Sequence, residues 1–163
     1  MDALRYPPAT EAPAAEVRAG ACREATLHDL VGRQAAATPG ATAVVHDGRE
    51  LTFAELDERS TRLAHELRAL GVRTETPVGV MLERDLELVV ALLAVLKAGG
   101  AFVPVDPAYP AARIQHMLDD SGARAVLLRE RLRDRLPDGM RAGESRVAVV
   151  PVDGDGARFA ARR

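Results

Sequence analysis

The sequence predicts an α/β layered sheet with crossover helices, incomplete as a layer structure, and three observations lead there. From Leu51 onward short apolar runs alternate with helical stripes, the order that gives neighbouring parallel strands joined by crossovers. One helical stretch, Asp85–Ala98, is apolar on most faces, so it should lie beneath other layers. The 163 residues are 47% hydrophobic and 28% charged, ordinary values for a packed chain, and this length suits one domain or a piece of one.

Residues 1–24 are rich in Ala, Pro and Glu without an apolar period and read as a disordered leader or interdomain linker, with residues 25–163 forming the structured part. Thr26-x-x-Asp29 resembles a capping box, and Leu27, Leu30, Val31, Gln34 and Ala35 share a helical stripe that Pro39-Gly40 stops. Thr42–His46 and Arg49–Thr52 flank Asp47-Gly48, a pair suited to the positive φ angles of a two-residue hairpin turn. Thr52-x-x-Glu55 opens a second helix that turns Leu56, Leu63, Ala64, Leu67 and Leu70 inward and ends at Gly71. Pro77–Leu82 is a buried strand, and Gly99-Gly100 ends the apolar helix before a strand at Ala101–Val105. Pro107 and Pro110 set a turn into a helix through Ile114, Met117 and Leu118. Further strands are expected at Ala123–Leu128 and Val147–Val152, with a loop over Pro137–Ser145 and no core pattern in the closing residues.

Composition narrows the function. A net charge of −2 gives no electrostatic footprint for nucleic acid or an anionic membrane, and 3% aromatic residues with no Trp leave few rings to stack bases. Cys22 is the single cysteine, so neither an intrachain disulfide nor a cysteine metal site can form. Lys97 is the single lysine, and the arginine and alanine bias fits a GC-rich coding sequence. Met1–Pro13 is polar and proline-broken, unlike a signal peptide, and Leu88–Leu96 falls well short of the about 20 apolar residues a bilayer requires. The expectation is a cytoplasmic protein without nucleic-acid or membrane partners.

Individual residues resist catalytic assignment. Gly99-Gly100 follows a helix C-terminus, where anions do not bind, and reads as a cap. Pro104 and Asp106 end a strand, where open sheets bind ligands, yet Asp106-Pro107 is itself a turn signal. Asp153-Gly154-Asp155-Gly156 hints at a calcium loop whose twelfth position has no residue in this sequence, so a solvated turn is expected. Asp119 and Asp120 point apart on a helix end and do not make a paired-carboxylate site. His28, His46, His65 and His116 lack metal spacing, and Arg129–Arg135 alternates charge as a solvated helix face would. No catalytic, cofactor-binding or metal-binding residue is assigned.

Two segments resemble a known family. Residues 51–56, LTFAEL, followed by a helix ending in LRALGV, resemble the first core motif of nonribosomal peptide synthetase adenylation domains. Residues 96–106, LKAGGAFVPVD, continuing as PAYPAARIQHMLDDSGARAVL, resemble the second, and the likeness runs in order over about residues 26 to 130. It implies the opening part of the large N-terminal domain of an adenylate-forming enzyme. It also implies ATP-dependent, magnesium-assisted activation of an amino acid, then transfer to the phosphopantetheine thiol of a carrier domain. The sequence contains no Ser/Thr/Gly-rich loop ending in Pro-Lys-Gly, no ribose-binding aspartate motif and no C-terminal catalytic lysine motif. The resemblance therefore implies a fragment that ends before the phosphate loop, inactive alone, binding no cofactor itself and partnered by the remainder of a synthetase. In that reading the motif around Lys97 belongs to the scaffold, and the lysine answers the helix dipole. Two alternatives stand beside it: a non-catalytic partner module of a split synthetase, and a small Rossmann-like nucleotide-binding protein. The sheet is expected to show open edges, and the apolar helix an exposed face.

Overall fold

The computed structural model describes residues 25–153. Cys22 and the rest of the proposed 1–24 leader lie outside the described residues, as do Gly154, Asp155 and Gly156.

Thr26 and Asp29 form the expected capping box: the Asp29 N–H donates to the Thr26 hydroxyl at 3.3 Å, and the Thr26 N–H to the Asp29 carboxylate at 3.0 Å. This starts α1, Leu27–Ala37. The strands β1, Thr42–His46, and β2, Arg49–Thr52, pair as an antiparallel hairpin, with φ of 49° at Asp47 and 71° at Gly48 as the turn demands. Thr52 then caps α2, Phe53–Ala69, through a second box with Glu55. The strand β3, Pro77–Met81, leads into α3, Leu86–Ala98, and thence to β4, Ala101–Pro104. The helix α4, Ala111–Asp120, precedes β5, Ala125–Leu128, and β6 is Ala148–Pro151.

The four later strands form one parallel sheet in the order β4-β3-β5-β6, separate from the hairpin. Alternate side chains of its strands enter different cores, as the two-residue period of a strand requires. Val78, Val80, Ala125 and Leu127 meet Leu63 and Leu67 of α2 and Ala91, Ala94 and Val95 of α3. Met81, Val126 and Leu128 meet Ile114 and Leu118 of α4. A third cluster joins Leu86, Val90 and Leu93 of α3 to Leu51 and Leu56, with Val31 of α1 and Val44 of β1 against it. Burial on two sides explains why α3 is apolar nearly all round.

The structure corrects two local expectations and refines a third. Arg129–Arg135 is not a solvated helix face: Glu130–Arg135 forms a 3-10 turn, and Leu132 and Leu136 are buried in the α4-side core. The expected loop at Pro137–Ser145 contains a short helix, α5, Asp138–Arg141, anchored by buried Met140. The stripe on α1 is buried only in part, because Leu27 and Leu30 remain 64% and 40% exposed. Its apolar contact with the neighbouring elements runs through Val31 and Ala35.

Candidate functional site

In an open parallel sheet, ligands bind beyond the carboxyl ends of the strands where successive connections leave in opposite directions. That place is between β3 and β5, since the chain passes from β3 outward to β4 and then returns to β5 and β6. The link from β3 into α3 is Leu82-Glu83-Arg84-Asp85, without a glycine to let backbone approach a phosphate. Asp85 caps α3 by accepting from the Leu88 N–H at 3.1 Å. Arg129, just after β5, donates from Nε to the same carboxylate at 2.9 Å, and its Nη2 donates to it as well. The helix N-terminus and the Arg129 guanidinium, two features that would attract an anion, are thus engaged by the chain's own carboxylate. Arg131 pairs with Glu83 beside them, and Arg59 donates to both oxygens of buried Glu87 at 2.7 and 2.6 Å.

Next to this closed crevice, α3 and β4 frame an open groove of about 620 Å³. Leu88, Leu92, Phe102, Pro104, Tyr109 and Met117 give it apolar walls. Phe102 is 41% exposed on β4, an edge strand of the sheet, and Leu88 and Leu92 supply the partly open face expected of α3. Asp106 also lines the groove, but its carboxylate accepts from the Ala108 N–H at 2.8 Å and sets the turn.

The segment Leu96–Asp106 works as a join. Gly99 closes α3 at φ 89°, and its carbonyl accepts from the Glu75 N–H at 2.9 Å. Gly100 passes so close to Thr76 and Val72 that it has no room for a side chain. Lys97 does more than answer the helix dipole: Nζ donates to the Asp57 carboxylate at 2.8 Å, the Asp57 carbonyl at 3.0 Å and the Thr61 hydroxyl at 2.8 Å. It ties α3 to α2 across 40 residues of sequence. In Leu51–Leu56, Leu51 and Leu56 are buried while Thr52 and Glu55 make the capping box.

The remaining candidates stay apart. Asp119 accepts from the Gln115 side chain at 2.7 Å, and Asp153 accepts from the Glu130 N–H at 2.8 Å. Among the described residues, no group of three His, Cys, Asp or Glu could hold a metal ion. No helix among them is long and apolar enough to cross a membrane. Sequence reasoning missed the Asp85–Arg129 and Lys97–Asp57 pairs, whose partners meet only through the fold; a lone lysine on an apolar helix was the one available signal.

A family model described as AMP-binding enzyme matches residues 31–162. The chain is 49% identical over 113 residues to tyrocidine synthase 2 of Brevibacillus parabrevis, an alignment that takes in 69% of this chain and 3% of that protein. Among solved structures, the AMPPNP-bound form of the nonribosomal peptide synthetase FmoA3 aligns with a TM-score of 0.71 at 37% identity, over 83% of this chain and 14% of that one. The Klebsiella oxytoca NpsA N-terminal subdomain in complex with anthranilyl-AMSN gives 0.64 at 25% identity, over 77% of this chain and 31% of that one. The chain thus spans a few per cent of the length of the curated relatives it matches. These matches, with the closed crevice between β3 and β5, favour an adenylation-type reading over both a split-synthetase module and a Rossmann-like nucleotide binder.

Proposed function

From its membership of the AMP-binding enzyme family, in which the chain corresponds to an N-terminal part of a nonribosomal peptide synthetase adenylation domain, we propose that its work is scaffolding. In this reading it supplies the parallel sheet and covering helices of the domain and contributes no catalytic side chain. The observation that carries it is the engagement of both motif segments in structure: capping at Thr52 and Glu55, turning at Gly99 and Gly100, caging at Lys97.

In this reading the described residues do not by themselves make a triphosphate or metal site. Asp85 blocks the α3 N-terminus, Arg129 is engaged by that same carboxylate, and Lys97 is held between two helices. ATP and magnesium therefore belong, in this proposal, to the complete domain. The domain's reaction would be aminoacyl-adenylate formation followed by thioester formation on a carrier domain, with the remainder of the synthetase as partner and the cytoplasm as location. Pyrophosphate exchange with a panel of amino acids should show no turnover by the purified chain alone, and calorimetry should show no tight ATP binding. Reproducible exchange would overturn the proposal.

A further inference from the structure

The sole lysine of this sequence is also the best-enclosed cation among the ion pairs of the described residues. The Lys97 side chain is 13% exposed, and its ammonium donates to the Asp57 carboxylate, the Asp57 carbonyl and the Thr61 hydroxyl. All other Lys/Arg positions hold arginine, whose guanidinium keeps its proton and does not act as an amine nucleophile. We propose that the cage around Lys97 is a chemical shield, which withholds this amine from activated acyl groups such as acyl adenylates.

The inference draws its biological sense from the family reading above, since an adenylate-forming domain works beside such compounds. An acyl adenylate is a mixed anhydride. A free amine attacks its carbonyl carbon, the new C–N bond forms, the bond to the phosphate oxygen breaks, AMP leaves with the electron pair and the amine releases a proton to solvent. Lys97 can begin that step only after it loses its proton and parts from acceptors on α2, one of them a carboxylate.

The test incubates the full chain with acetyl adenylate in the presence of Nα-acetyl-lysine as a reference amine, and reads acetylation by peptide mass spectrometry. Breaking even one charge-assisted hydrogen bond should slow Lys97 about tenfold or more relative to the reference. Asp57→Asn and Thr61→Val should each raise the Lys97 rate while circular dichroism stays unchanged. Denaturing guanidinium should raise it to the reference. Acetylation of native Lys97 at the reference rate overturns the proposal. So does a rate left unchanged in folded Asp57→Asn and Thr61→Val chains, because depth of burial and not the acceptors would then protect the amine. None of these readings requires turnover, so failure of the shield and failure of the scaffold reading register separately.

Discussion

At Gly100 a hydrogen atom stands where a methyl group would lie 2.9 Å from the Thr76 carbonyl oxygen, 3.0 Å from Val72 Cγ1 and 3.2 Å from Val95 Cγ1. Backbone oxygen cannot swing aside, and Val72 and Val95 are fully buried in a close-packed core. Gly100→Ala should therefore destabilise the chain by about 1–3 kcal/mol, read as a lower urea midpoint at unchanged slope. Gly139→Ala, where a methyl group would meet nothing within 4 Å, should shift it by less than about 0.5 kcal/mol. The sequence showed that a helix ends at Gly99-Gly100, since positive φ after an apolar run is a local demand. It could not show which of the two glycines is needed for space, because Thr76 and Val72 arrive from another part of the chain.

Among the elements, the two capping boxes were legible because donor and acceptor lie three residues apart and owe nothing to the rest of the fold. Their carboxylates titrate accordingly. The backbone N–H and then the hydroxyl of Thr52 hold Glu55 below its ordinary value, and the hydroxyl and then the N–H of Thr26 do the same for Asp29. A lowered folded value means that the stabilisation is complete above the ordinary carboxylate range and is lost as pH falls through the folded value. Glu55→Gln should thus lower the thermal midpoint at neutral pH, and the gap to the parent should narrow as acidification protonates Glu55 in the parent; a gap independent of pH would contradict the assignment. The 3-10 turn at Glu130–Arg135 and the helix Asp138–Arg141 were not legible. Their local pattern is dominated by charge, and the burial of Leu132, Leu136 and Met140 follows from where the α4-side core comes to lie.

For the described residues as a whole, the order β4-β3-β5-β6 leaves β4 at an edge of the sheet and the groove along α3 open. Unpaired strand edges beside exposed apolar side chains promote association between chains. The purified chain should show concentration-dependent association in sedimentation velocity, and Phe102→Lys should reduce it without changing the circular dichroism spectrum. A parent chain that stays monomeric at every concentration would remove this edge as a liability.

The sequence by itself determined the alternation of helices and strands, both capping boxes, the hairpin turn, the apolar nature of α3 and the family to which the chain belongs. Each is written in neighbouring residues or in contiguous motif segments, which need no tertiary contact to be read. The tertiary structure decided the strand order, the two-sided burial of α3, the cage around Lys97 and the closure of the crevice between β3 and β5 by Asp85 and Arg129. Those features join residues tens of positions apart, and contacts at such separation exist only once the sheet has set which ends of which elements meet.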